Sequence, residues 1–148
     1  QSEKFLGIKK AMNYFNLSIT NHNFINTAGL GWYDGYVATK RLLMNSNKPS
    51  AIIGSSYDIS AGVVRALREA NLIIPKDISV ISYDNIPQMA NLEIPLTSVG
   101  VPVEEIASNM VSTLLSRIKT KETMPYIKQL TPKIHERISC AQAGIARG

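Results

Sequence analysis

Two adjacent residues, Asp84 and Asn85, stand at the end of the short β-branched run Ile78 to Ile81. A brief apolar run of this kind sits covered on both faces of a parallel sheet. In an open α/β sheet the carboxyl ends of the strands face the ligand crevice, so Asp84 marks the edge of a candidate small-molecule site. The same pair also suits a plain turn, because both side chains bond their own backbone readily. Ser55-Ser56 follow a second apolar run, Ala51 to Gly54, and both are good N-cap residues for a helix that begins there.

Other chemistries lack their residues. There is no Gly-x-Ser-x-Gly elbow and no Walker loop, and Gly29-x-Gly31 lacks the third glycine of a dinucleotide fingerprint. His22 and His135 have no Cys, Asp or second His at metal-ligand spacing and read as structural. The expectation is a protein that is not an enzyme and uses no metal or other cofactor. Cys140 is the single cysteine, which rules out an internal disulfide and fits a reducing compartment.

At 148 residues, 45% hydrophobic and 18% charged, the chain suits one domain with a real core. No apolar run approaches the roughly 20 residues of a membrane span. The net charge of +5 is scattered over Lys9-Lys10, Lys40-Arg41 and Lys119 to Lys121. These clusters read as solvated helix faces rather than a nucleic-acid patch. The opening QSEKFLGIKK enters an amphipathic pattern directly. That implies a cytoplasmic chain or one that starts partway through something larger.

The elements that must position Asp84 alternate along the chain. Phe5, Ile8, Met12 and Phe15 form one stripe of a first helix, Asn21 to Thr27 leans toward a strand, and Tyr33 to Met44 reads as a second helix. Pro49 closes a polar turn before the strand Ala51 to Gly54. A capped helix then runs to Ala70, with Ile59, Val63, Leu67 and Ala70 inward. Ile78 to Ser82 is the next strand, Pro87 to Glu93 allows a single helical turn, and Leu96 to Val99 is extended. Pro102 opens a last helix whose buried stripe is Val103, Ile106, Met110, Leu114 and Ile118. Tyr126 to Leu130 and Lys133 to Ile138 read as closing strands, and residues 141–148 as a loose tail. Strands alternating with helices of this length give a parallel α/β sheet.

Four motifs in fixed order carry a resemblance. PSAIIGSSYDISAGVVR at Pro49 to Arg65, ALREANLIIPKDISVISYDN, IPLTSV and LTPKIHERIS at Leu130 to Ser139 resemble the lac/galactose repressor family of bacterial transcription regulators. KFLGI at Lys4 to Ile8 resembles that family's basic-x-x-Gly-aromatic signature, with Ile8 in the aromatic place. The resemblance implies a three-layer α/β sandwich with a parallel sheet, of the type I periplasmic-binding-protein kind. It is incomplete here and mainly the C-terminal subdomain. Residues 1–140 would be a partial effector-binding and dimerisation domain, with the helix-turn-helix headpiece and the first half of the core absent from this sequence.

Site residues carry over one at a time. Asp84 matches the first acid of the family's Tyr/Phe-Asp-Asp turn, which hydrogen-bonds effector hydroxyls in sugar-responsive members, and Asn85 follows it. A carboxylate accepts from several hydroxyls at once, which suits a polyol. Lys4 takes the place of an effector-facing arginine and loses the bidentate fork. Ser56 and Tyr57 replace an Asn-Asp pair. Ser56 suits capping as well as ligand contact, and Tyr57 suits stacking on a sugar ring or covering the helix start. Trp32 lies two positions past the aromatic that covers the ligand in the family, and suits stacking or core packing alike. Val101 replaces a polar contact.

The resemblance therefore implies the ligand-responsive regulatory domain of a repressor. A small molecule, a sugar by preference, would change operator affinity through a homodimer. Operator DNA would be bound by the missing headpiece and not by this stretch. The dimer surface maps onto Ser60, Val64 and Leu67, with Met89 and Ile94. The alternative is an extracytoplasmic sugar-binding protein of a transport system, which shares the fold and crevice.

Overall fold

The computed structural model describes residues 3–20, 23–120 and 124–142. Its elements are α1 (Glu3–Tyr14), α2 (Trp32–Leu43), β1 (Ala51–Gly54), α3 (Tyr57–Glu69), β2 (Ser79–Asn85), β3 (Thr97–Pro102), α4 (Val103–Thr120) and β4 (Lys133–His135). A 3-10 turn at Pro87–Ala90 stands where a single helical turn was expected. The four strands form one sheet in the order β1-β2-β3-β4. The first three are parallel, as expected of an α/β sheet, and the short closing strand β4 runs antiparallel to β3.

The core lies where α3 covers the sheet. Val63 and Leu67 of α3 meet Ile74, Ile78, Val80 of β2 and Leu96. Burying each such side chain contributes about 1.5–3 kcal/mol. Ala66 is buried on the inward face, whereas Ala70, expected there, is an exposed C-cap residue. Ile53, on the opposite face of β1 from Ile52, remains exposed.

Helices α2 and α3 pack backbone to backbone. A Cβ on Gly62 would lie 1.9 Å from the Trp32 carbonyl oxygen, and one on Gly35 would lie 2.3 Å from that of Ile59. Two facing glycines therefore set the approach of these helices. Thr39 is buried beside Gly35 and donates its hydroxyl to the Gly35 carbonyl at 2.8 Å.

Several expectations need correcting. Residues 24–27 form no strand, and Phe24 instead packs its ring 4.2 Å from that of Phe5 in α1. Asn21 and His22 lie outside the described residues. Residues 126–130 form no strand either. The stripe of α4 is as apolar as expected, yet Met110, Leu114 and Ile118 are exposed, as α4 buries no residue within the described chain. Of the expected tail, Ala141 is tied to β2, its amide donating to Ser79 Oγ at 3.1 Å, and residues 143–148 lie outside the description.

The mapped dimer surface changes for a related reason. Ser60, Leu67 and Met89 are 0% exposed, so they belong to the interior and offer nothing to a partner. Ser60 faces the sheet because Gly54, where a Cβ would lie 2.0 Å from Ser60 Oγ, leaves room for it. Val64 and Ile94 are half-buried against the core.

Candidate functional site

The carboxyl ends of β1 and β2 meet the first turn of α1. Lys4 of α1 donates from Nζ to Asp84 Oδ1 and to the Ser55 carbonyl, each at 3.4 Å. Its ammonium also lies over the Tyr83 ring, 3.9 Å from the centroid. The structure thus brings together Lys4 and Asp84, both expected at the site, with Ser55 and Tyr83. The expected set omitted Tyr83, although its place before Asp84 in the acidic turn was a usable signal.

Asp84 has φ 69°, the left-handed region, and sits at an irregularity where the β2–β3 register shifts between Tyr83 and Asn85. Asp tolerates this conformation better than most residues, but it still carries strain, and such strain gathers at functional positions. The bulge turns the Asp84 side chain out of the ladder toward Lys4. Both partners of the pair keep close to half of their side-chain surface exposed. An ion pair so open is worth only about 0–1 kcal/mol, so ligand hydroxyls compete for it at little expense.

Asn85 is tied into the fold through its side-chain oxygen. Its Oδ1 accepts from Ser98 Oγ at 2.9 Å and from Arg137 Nη2 at 3.0 Å. That oxygen is used inside the fold, where it anchors the turn. Arg137 also donates from Nη1 to the Leu96 carbonyl at 2.7 Å and to Ser98 Oγ at 2.9 Å. Two residues on, buried Ser139 accepts from the Thr97 amide at 2.7 Å and donates to the Val80 carbonyl at 2.6 Å. The Arg137-x-Ser139 pair therefore stitches β2 to β3 beneath the site.

Ser56 caps α3: its Oγ accepts from the Ile59 amide at 3.4 Å, while its carbonyl accepts from Ser60 Oγ at 2.7 Å and from Ser82 Oγ at 3.2 Å. Tyr57 opens α3 half-buried beside it. Trp32 has other neighbours. It packs against Tyr33 and Tyr36 and lines a depression of about 440 Å³ with Ala61, Arg65 and Glu69. There the Tyr36 hydroxyl donates to Glu69 Oε2 at 2.6 Å and Arg65 donates to Oε1 at 2.7 Å. First the Tyr36 hydroxyl and then Arg65 hold the Glu69 carboxyl down to about 2. Among the described residues no cluster of His, Cys, Asp or Glu could hold a metal ion.

Residues 7–140 match the model of the periplasmic binding protein-like domain. The chain belongs to that family.

Within the periplasmic binding protein-like family, this chain is similar to the HTH-type transcriptional repressor PurR of Vibrio atlanticus, 30% identical over 135 residues. It is equally similar to the ribose operon repressor of Escherichia coli, 30% identical over 131 residues. These matches cover 91% and 88% of this chain but only 40% and 39% of the relatives. Among solved structures, a LacI family regulator from Enterococcus faecium with bound ribose superposes with TM-score 0.82 at 27% identity, covering 93% of this chain and 50% of that one. A sugar-binding LacI-family regulator from Escherichia coli, complexed with phosphate, gives 0.77 at 25% identity, covering 93% and 49%. The fold is that of the effector-binding core of lac/galactose repressors, and the chain is a part of it. No helix of the described residues is long and apolar enough to cross a membrane.

Proposed function

We propose that this chain is part of the ligand-responsive core of a bacterial transcriptional repressor and that its Lys4–Asp84 site binds a small, uncharged sugar. The observation that carries the reading is Asp84 itself: strained, bulged out of β2 and half exposed, with Lys4 at 3.4 Å. Such a pair accepts hydrogen bonds from sugar hydroxyls through the carboxylate and donates them through the ammonium. The carboxylate offsets the lysine charge, which disfavours a phosphorylated ligand. Tyr83 and Tyr57 supply apolar ring faces of the kind sugars pack on. Ribose is bound in the Enterococcus faecium structure, which supports the same class of ligand here.

The effector would favour one arrangement of the complete core and so alter operator affinity in a cytoplasmic homodimer, with DNA bound by a headpiece outside this sequence. Val64 and Ile94 are the two mapped residues that retain surface for a dimer contact. The repressor names of the relatives favour this reading over a transport-system binding protein, and over an enzyme.

The test uses the full-length protein. Its operator is selected from random DNA, and its affinity is measured with and without D-ribose, D-galactose and other free sugars. The expected result is a change of roughly 5–150-fold with one of them. A protein that selects no DNA sequence would overturn the repressor reading.

A further inference from the structure

Arg137 lies 53 residues beyond Asp84 in sequence, yet it reaches the turn that carries that carboxylate. Its guanidinium gives three hydrogen bonds: to the Leu96 carbonyl, to Ser98 Oγ and to Asn85 Oδ1. Ser98 Oγ in turn donates to the same Asn85 oxygen. Asn85 is thereby held by two donors and cannot rotate its amide without breaking both. The residue before it is Asp84, whose left-handed φ of 69° relaxes unless its neighbours are fixed. Lys4 is half exposed and pairs weakly, so it cannot hold the turn alone. The backbone of Arg137 is fixed as well, since its amide donates to Thr97 Oγ1 at 3.0 Å and its carbonyl accepts from that hydroxyl at 3.1 Å. The fork geometry of arginine suits this task, because one planar group reaches a carbonyl, a hydroxyl and an amide oxygen together.

We infer that Arg137 is a positioning residue for the effector site, holding Asp84 in its bulged, left-handed conformation through Asn85 without touching ligand. This rests on the reading of Asp84 as a sugar contact. It also links the site to the segment just after β4, so that a shift of that segment would be felt at the carboxylate.

The experiment compares full-length wild type with Arg137→Ala, Arg137→Lys, Asp84→Asn and, as a core control that leaves the turn alone, Val63→Ala. D-ribose binding is followed by calorimetry, and the Asp84 side-chain carboxyl 13C resonance is recorded without ligand. The resonance should move in both Arg137 variants and stay in place in Val63→Ala. Ribose affinity should fall at least tenfold in Arg137→Ala, and Arg137→Lys should not restore it. An Asp84 resonance unchanged in Arg137→Ala overturns the positioning role, as does ribose affinity within twofold of wild type when Asp84→Asn has lost it. If wild type and Asp84→Asn treat ribose alike, the sugar-contact reading falls for this ligand, and the resonance alone decides the role of Arg137.

Discussion

Gly100 of β3 lies so close to the acidic turn that a Cβ there would sit 2.5 Å from the Asn85 amide nitrogen and 3.0 Å from the Asp84 Cα. The strained turn and the missing side chain are two halves of one arrangement. β3 can pair with β2 past the bulge only because position 100 has no side chain. Gly100→Ala should therefore destabilise the protein by about 1–3 kcal/mol, as overpacking does, and weaken ligand binding together with stability. Chemical denaturation and a ligand titration on the same variant check both.

Gly62 in α3 sets two effects against each other. Alanine would raise helix propensity by about 1 kcal/mol. A Cβ there would lie 1.9 Å from the Trp32 carbonyl oxygen and 2.5 Å from the Tyr36 amide nitrogen, both backbone atoms that cannot turn aside. The clash should win, with a net loss of about 1–3 kcal/mol and splaying of α2 from α3. Denaturant unfolding measures the loss, and rising solvent exposure of Trp32 in its fluorescence reports the splaying.

Ser139→Ala should cost more than Ser56→Ala. The first substitution strands the Thr97 amide at a fully buried position, about 1–3 kcal/mol, and leaves the Val80 carbonyl with only the weak Cys140 Sγ donor at 3.3 Å. The second removes a long cap bond of 3.4 Å, near the lower end of the roughly 0.5–2 kcal/mol that caps contribute. Paired unfolding curves give the order directly, and equal losses would contradict it.

Glu69 ties acid stability to the α2–α3 pair. Its carboxyl is held down from 4.5 to about 2 by the Tyr36 hydroxyl and Arg65. A depressed acid stabilises the fold fully above its unfolded value, and the contribution disappears as pH falls from 4.5 toward about 2. Tyr36 shifts the other way. Its pKa is raised, chiefly by its bond to Glu69, so its share is present below 10.0 and lost as pH climbs past that value. The stability difference between wild type and Glu69→Gln should shrink as the solution is acidified through this window. A difference independent of pH would contradict the linkage.

What the sequence disclosed of this fold was its local part. The β-branched run before Asp84 marked a buried strand and placed the carboxylate at its carboxyl end, and Ser56 announced a cap that the structure contains. The Arg137 to Asn85 bond spans 52 residues and has no periodicity to reveal it. The stripe on α4 was correctly read as apolar, but a repeat of 3.6 residues says which face is greasy and not whether anything covers it. The resemblance maps Ser60, Leu67 and Met89 to a dimer surface, whereas burial is decided by tertiary packing, which for Ser60 includes the space Gly54 leaves. Trp32 suits ligand stacking and packing alike by sequence, and only the close α2–α3 crossing at Gly35 and Gly62 shows its neighbours, Tyr33, Tyr36 and Ala61.

Titration of full-length wild type and Asp84→Asn with a panel of free sugars decides whether the Asp84 carboxylate receives sugar hydroxyls. Asparagine tolerates the left-handed backbone as aspartate does, so the substitution removes charge and leaves the turn intact. One sugar should bind wild type and lose roughly 10–150-fold in Asp84→Asn, the worth of a charged hydrogen bond of about 1.5–3 kcal/mol. A sugar that binds both proteins equally would contradict it.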